Sequence, residues 1–181
     1  LLENEISFEA ANILKLGKDL LYLVSRSGNR LGAKWLQQVV GKKHKVHVTE
    51  GIYGGSHIDS TIMALRPGLV LINGSRVKKD NCPKILKNWK KIYFEDIIET
   101  PKKVINFHNK VRKKNFKVLK NKGLITDINH IASPWIGMNF LSLDKNTVVV
   151  DSLQINLIKL LEKMKFNVIP IKFSNSYFLK G

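Results

Sequence analysis

The 181-residue sequence predicts an α/β fold in which short strands alternate with amphipathic helices. Short apolar runs between turn-forming residues predict buried strands, as at residues 20–24 and 69–73. Apolar residues at helical spacing predict helices, as at residues 32–40 and 153–164. The order of strand, helix, strand and hairpin returns less clearly later in the chain, so an α+β arrangement stays open beside α/β.

The predicted strands share short apolar runs, and they lie at residues 20–24, 44–48, 61–65, 69–73, 91–94, 135–143, 147–151 and 167–172. Before them, residues 6–14 are predicted to begin extended and to end at a polar break at 18–19. Arg66-Pro67-Gly68 predicts a hairpin turn, because proline and glycine favour the backbone angles of tight turns. Asp144-Lys145-Asn146 predicts a second, polar turn.

The predicted helices lie at residues 32–40, 83–89, 101–122 and 153–164. The buried face of the first helix is expected to carry Leu31, Trp35, Leu36 and Val39. The buried face of the last helix is expected to carry Ile155, Ile158, Leu161 and Met164. The helix at 101–122 is strongly basic with an irregular apolar stripe. It is interpreted as a solvated insertion over an edge of the core, with an RNA-binding or membrane-surface helix as the alternative.

Composition limits the classes of function that the chain can serve. A hydrophobic content of 44% is enough for the core of one domain, and the formal charge of +17 first suggests a nucleic acid or anionic surface as partner. The lysines are scattered and no recognisable motif gathers them, so neither a nucleic acid nor a membrane is the expected partner. The single cysteine, Cys82, excludes an intramolecular disulfide and fits a cytoplasmic location.

The ends and histidines of the sequence add two smaller expectations. Residues 1–5 lack an initiating methionine and the features of a signal peptide, so the chain is expected to be the interior of a longer protein. His44 and His47 would lie on opposite faces of a strand, so no shared metal ion is predicted.

The stretch from Gly51 to Thr61 holds the candidate chemistry. Adjacent glycines, Gly54 and Gly55, predict a loop, and His57 and Asp59 follow it. If residues 57–61 are extended, the histidine and the carboxylate share one face while Ile58 points into the core. A base would then lie beside a carboxylate, although a hydrogen-bonded histidine at a strand end is an equally simple interpretation.

Several motifs accompany this stretch in a fixed order. They are Phe8-Glu9-Ala10-Ala11-Asn12, the hairpin Leu65-Arg66-Pro67-Gly68, Arg76, and Ser133-Pro134-Trp135-Ile136-Gly137-Met138-Asn139. In this combination the sequence resembles the amidinotransferase family, which includes glycine amidinotransferase and the inosamine-phosphate amidinotransferases. The resemblance covers nearly the whole chain except a basic segment at about 98–128. It implies a pentein, or α/β propeller, of ββαβ modules around a central site. Residues 1–181 would form about three of the family's five modules, a partial propeller with a basic insertion.

Amidino transfer moves a C(NH2)2 unit from arginine to an acceptor amine, which requires a nucleophile, a proton carrier and carboxylates that bind the planar cation. The resemblance implies that His57 is the proton carrier and that Asp59 binds the guanidinium of the substrate. Glu9 takes the position of the partner that orients the histidine, where well-known members have the shorter aspartate. No cofactor or metal ion is implied.

The resemblance also assigns the acceptor side of the site. Arg76 corresponds to the arginine that grips the acceptor's carboxylate, and Ser133 to a hydroxyl in the same pocket. Without the family, these two residues are simply a surface arginine and a loop serine. Gly54, Gly55 and Ser56 would form a mobile active-site loop.

The nucleophile of the family is a cysteine in a Gly-Gly-Gly-Phe-His-Cys run, which would begin where Leu179-Lys180-Gly181 ends this chain. Cys82 matches no catalytic position and is predicted to be a buried or loop thiol. We therefore expect a fragment, or one piece of a split gene product, of an arginine-dependent amidinotransferase whose acceptor is a glycine-like amine or an aminocyclitol phosphate. Its nucleophile would lie outside this chain. A complementing C-terminal segment and a second copy in a homodimer are both left open as partners. The alternative functions are a non-catalytic pentein that binds a guanidino compound or a protein, an arginine deiminase-type hydrolase, and a basic nucleic-acid binder.

Overall fold

The computed structural model describes residues 4–54, 57–99, 101–123 and 138–173, apart from the side chain of His108. The strands are β1 (Ile13–Leu16), β2 (Asp19–Leu23), β3 (Lys45–Thr49), β4 (Ile62–Arg66), β5 (Leu69–Asn73), β6 (Lys90–Phe94), β7 (Phe140–Ser142), β8 (Thr147–Asp151) and β9 (Asn167–Ile171). The helices are α1 (Arg30–Val40), α2 (Lys102–Asn121) and α3 (Ile155–Lys163), with 3-10 turns at Ala10–Asn12 and Lys84–Leu86. The alternation of strands and helices confirms the predicted α/β class.

The nine strands form three sheets of the same topology, in the orders β1-β2-β3, β4-β5-β6 and β7-β8-β9. In each sheet the first two strands are antiparallel and the last two are parallel. Parallel strands need a crossover connection, and α1 and α3 provide it in the first and third sheets. In the second sheet the crossover holds only the 3-10 turn at Lys84–Leu86. Each sheet together with its crossover connection is called a module, and the three are numbered 1, 2 and 3 in chain order.

The core consists of three apolar clusters that the sheets separate. Successive strand residues point to opposite faces. Leu69 and Leu71 of β5 therefore pack in a first cluster with module 3, while Val70 and Ile72 pack in a second cluster with module 1. The residues of β2 also alternate between two clusters. Leu21 packs in the second cluster, while Leu20 and Tyr22 pack against α1 in a third cluster. Module 2 is thus enclosed by the other two modules.

The buried face of α1 differs from the predicted face. Gly32, Ala33 and Leu36 are buried, whereas Trp35 and Val39 are exposed. The helix approaches its neighbours through its smallest residues, since a Cβ at Gly32 would lie 2.1 Å from the carbonyl oxygen of Ser7. The predicted face was wrong because it was defined by large apolar residues, whereas the helix packs mainly through small ones.

The buried face of α3 also requires correction. Leu157 and Leu161 are fully buried, but Ile155, predicted to be buried, is 51% exposed. Residues nine apart differ by about 180° around a helix, so Ile155 and Met164 cannot both face the same sheet. The predicted residues are spaced three apart, and a helix has 3.6 residues per turn, so this series moves progressively to a different face.

The other predicted elements are confirmed within one or two residues, with three differences. Residues 83–89 hold only a 3-10 turn, Lys84–Leu86, where a short helix was predicted. Of the predicted strand at 135–143, the structure gives β7 from Phe140 to Ser142, and residues 135–137 lie outside the described part. The first strand, β1, begins only at Ile13. None of the helices in the described ranges is long and apolar enough to cross a membrane.

Candidate active site

The segment 57–61 is a turn, and the prediction that it is extended was wrong. The carbonyl oxygen of Ile58 accepts hydrogen bonds from the backbone N–H groups of Thr61 and Ile62, both at 2.8 Å. The chain therefore folds back on itself, and regular pairing starts only at Ile62 in β4. Ile58 is 1% exposed and packs in the second cluster, as predicted. The burial of Ile58 holds its neighbours His57 and Asp59 next to the second cluster.

A second set of backbone bonds brings the N-terminal segment to this turn. The backbone N–H of Ile58 donates to the carbonyl oxygen of Ala11 at 3.0 Å, and the N–H of Asn12 donates to the carbonyl oxygen of Glu9 at 3.0 Å. As a result, Oε1 of Glu9 lies 3.1 Å from Nε2 of His57. Both side chains are roughly half exposed, so the pair lies at the surface where a ligand can reach it.

Asp59 adds a second carboxylate to this pair. Burial raises the pKa of the Asp59 carboxyl. The nearby His57 and hydrogen bonds from the backbone N–H groups of Ser60 and of Asp59 itself oppose that rise, and the charge of Glu9 adds to it. Among the described residues nothing donates a hydrogen bond to Oδ1 of Asp59, although this atom is buried. A buried carboxylate oxygen without a donor is unfavourable, so a cationic donor bound here would relieve the cost.

Arg76 supports the turn from the other side. Its Nη1 donates to the carbonyl oxygen of Ser60 at 3.1 Å, to Oγ of Ser60 at 2.9 Å and to Oγ1 of Thr61 at 2.9 Å. The centre of its guanidinium lies 3.7 Å from the centroid of the Tyr53 ring. Burial is the main reason why the pKa of Arg76 is lowered. Arg76 is thus part of the support of the turn that carries Asp59.

The structure therefore brings Glu9, His57 and Asp59 together and joins Arg76 to the same turn. Gly54 lies in an exposed loop just before the turn. The other candidate residues, Gly55, Ser56 and Ser133, lie outside the described residues.

Three residues of this region were missed by sequence reasoning. Tyr53 stacks on Arg76, Ser60 accepts its hydrogen bonds, and the buried Asn73 donates from Nδ2 to the carbonyl oxygen of Ser60 at 3.3 Å. The available signal was weak, because it consisted of Asn73 alone, a polar residue at the end of the otherwise apolar strand β5. In the described ranges no cluster of three or more His, Cys, Asp or Glu side chains could hold a metal ion.

Comparison with known proteins gives relatives across nearly all of the chain, although no family model matches it. It is 42% identical over 174 residues to inosamine-phosphate amidinotransferase 1 of Streptomyces glaucescens, covering 96% of this chain and 43% of that protein. It is 33% identical over 174 residues to the L-arginine:L-lysine amidinotransferase of Pseudomonas savastanoi pv. phaseolicola, covering 96% of this chain and 41% of that protein. The chain thus spans less than half the length of these relatives.

Solved structures show the same fold. The inosamine-phosphate amidinotransferase of Streptomyces griseus matches with a TM-score of 0.76 and 40% identity, over 100% of this chain and 45% of that one. The DDAH of Pseudomonas aeruginosa matches with a TM-score of 0.64 at 12% identity, over 99% of this chain and 54% of that one, which shows a likeness of fold alone.

The three repeated modules and these structural matches define a pentein, a propeller of ββαβ units, of which this chain forms three. Within that class, the chain belongs to the amidinotransferase family, a family of enzymes. The predicted fold and the predicted family are both confirmed.

Proposed function

We propose that this chain is part of an arginine-dependent amidinotransferase, which moves the amidino group of arginine to an acceptor amine. The observation that carries the proposal is the Glu9–His57 pair beside the buried, unsatisfied Oδ1 of Asp59. The names of the relatives at 42% and 33% identity, both amidinotransferases, support the same reaction.

In this proposal Asp59 binds the guanidinium of arginine. A planar guanidinium presents several N–H donors to a carboxylate, which suits an acceptor oxygen that lacks a donor. Its positive charge would also favour the ionised form of Asp59, whose pKa is raised mainly by burial. Binding of the cation would therefore repay part of the cost of burying this carboxyl group.

His57 acts as the proton carrier, and Glu9 is its positioning residue. A thiolate attacks the guanidinium carbon, and His57 donates a proton to the nitrogen of the leaving ornithine as the carbon–nitrogen bond breaks. The acceptor amine then attacks the S-bound amidino carbon, the carbon–sulfur bond breaks, and His57 takes the proton from the attacking amine. The contact of 3.1 Å between Glu9 and His57 supports the role of Glu9 in orienting the ring.

The nucleophilic thiol would come from sequence outside these 181 residues, in the same polypeptide or in a complementing segment. Cys82 does not suit this role. It packs at the edge of the second cluster and interacts with Tyr93, without any contact to the Glu9–His57 pair among its described interactions.

The acceptor is proposed to be an anionic amine that Arg76 and Ser133 help to bind. The relative of 42% identity favours an aminocyclitol phosphate, and an amino acid such as glycine is the alternative. An arginine suits this role because its planar guanidinium can bind a carboxylate or a phosphate through two parallel hydrogen bonds. The location is proposed to be cytoplasmic, which the low cysteine content of these 181 residues fits.

The test is label exchange between arginine and ornithine by the protein expressed from its native gene. We expect exchange, together with a mass gain of one amidino group on a thiol other than Cys82. His57→Ala should abolish exchange, while Lys114→Gln on α2, a change of charge far along the chain from the site, should leave it intact.

Other outcomes of this test point to the alternative functions. Release of ammonia and citrulline without transfer would overturn the proposal in favour of an arginine deiminase-type hydrolase. Arginine binding without any exchange, unaffected by His57→Ala, would indicate a non-catalytic binding protein.

A further inference from the structure

Module 2 contains a cavity where the other two modules have a helix. In modules 1 and 3 an α-helix connects the two parallel strands, but in module 2 the connection holds only a 3-10 turn, Lys84–Leu86. Beside this turn lies a cavity of about 600 Å³, a volume in the range of small-molecule sites. Modules 1 and 3 both pack against the sheet of module 2.

The lining of the cavity carries a strong excess of positive charge. Four lysines line it, against one carboxylate, Asp80; the lysines are Lys79, Lys84, Lys87 and Lys91. Charges of one sign gathered around a concave surface concentrate the electrostatic potential there and attract ions of opposite charge. The cavity thus favours an anion over a neutral or cationic ligand.

The lysines on the lining of the cavity differ in their bonding and exposure. The ammonium group of Lys91 donates to the carbonyl oxygens of Lys87 at 3.1 Å and Trp89 at 2.9 Å, which holds it in one place. Cys82 and Tyr93 interact with each other on the same lining, and their half-buried side chains offer polar groups beside the lysines. Lys84 and Lys87, by contrast, are exposed.

We propose that this cavity binds a small polyanion, such as a phosphorylated metabolite, through the ammonium groups of Lys84 and Lys87. The cavity shares no residue with the Glu9–His57–Asp59 site. Several lysines around a phosphate group make charge-assisted hydrogen bonds, which are stronger than bonds between neutral groups. The site is independent of the proposed transferase activity, because its occupancy can be measured without any turnover.

Cys82 provides the readout, since it lies on the lining and is the single cysteine of these 181 residues. The rate at which N-ethylmaleimide alkylates Cys82 is followed by peptide mass mapping on the full protein, with inorganic phosphate and pyrophosphate as probes. We expect pyrophosphate to slow alkylation by about fivefold or more in a saturable manner, with phosphate acting at higher concentration because it carries less charge.

Two double variants of equal charge change test the assignment. Lys84→Gln with Lys87→Gln should raise the half-saturating pyrophosphate concentration by about tenfold, as the loss of two charge-assisted contacts implies. Lys114→Gln with Lys117→Gln on α2 should leave it unchanged. The proposal is overturned if sodium chloride of equal ionic strength protects Cys82 equally well, or if both double variants behave like the unaltered protein.

Discussion

Asp59 has two properties that are unfavourable in a folded protein without a ligand. Its carboxyl group has a pKa raised mainly by burial, and its Oδ1 has no donor among the described residues. Both properties make the ionised form unfavourable in the free protein, and both suit a group that binds a cation. Stability and ligand binding should therefore respond in opposite directions when this charge is removed.

Asp59→Asn is expected to raise the unfolding temperature at pH 7 and to weaken arginine binding. Because the pKa is higher in the folded state than in the unfolded chain, the folded state binds the proton more tightly. The contribution of Asp59 to stability therefore falls as the pH rises from the unfolded pKa, about 3.9, through the raised folded value. The gain from Asn should shrink as the pH is lowered toward 4. Thermal unfolding between pH 4 and 7 checks this, and a lower unfolding temperature at pH 7 would contradict it.

Glu9→Gln is expected to lower kcat for arginine–ornithine exchange by about 10- to 100-fold, with a small change in KM. The amide keeps the shape of the side chain but removes the charge that faces Nε2 of His57 at 3.1 Å. Glu9→Asp shortens the side chain by one methylene and should also lose activity, because the contact lengthens. Steady-state kinetics measure both variants.

The control for Glu9 is Glu50→Gln, which removes an equally exposed carboxylate paired with Arg30. It should leave kcat unchanged, because the described partner of Glu50 is Arg30 and not His57. The fold should also be retained, since an exposed ion pair contributes little to stability. If Glu9→Gln reduces kcat no more than Glu50→Gln does, Glu9 has no role in positioning His57.

At the scale of elements, most of the fold was predictable because each strand is an apolar run between turn-forming residues. The hairpin around Arg66-Pro67-Gly68 is an example, and Gly68 indeed has a positive φ of 78°. The turn at 57–61 was not predictable, because a five-residue stretch anchored by Ile58 fits a turn as well as a strand. Its shape depends on a backbone bond to Ala11, a contact distant in sequence.

The correction to the buried face of α3 can be tested by a matched pair of substitutions. Leu161→Ala should lower the free energy of unfolding by about 2–5 kcal/mol, because it leaves a cavity in the first cluster. Ile155→Ala should change it by about 0.5 kcal/mol or less, since the side chain is 51% exposed. Chemical denaturation of the two variants gives both values. Equal losses would mean that the originally predicted face is the buried one.

At the scale of the whole molecule, the charge of +17 is unevenly distributed. The helix α2 carries seven lysines and one arginine without any acidic residue, and none of its residues belongs to the three apolar clusters. Like charges three or four residues apart on a helix destabilise it, as for Lys110, Lys113, Lys114 and Lys117. The excess charge therefore opposes the compact state, and its effect should be largest in dilute salt.

The unfolding temperature of the protein is accordingly expected to rise by a few degrees when sodium chloride is raised from about 20 to 300 mM, because salt screens repulsion between exposed charges. Lys114→Gln with Lys117→Gln should reduce this rise by removing two of the charges that repel. Exposed ion pairs such as Lys78–Glu95 act in the opposite sense, since salt weakens them. Calorimetry at both salt concentrations decides between the two effects, and a temperature that falls with salt would show that attraction outweighs repulsion.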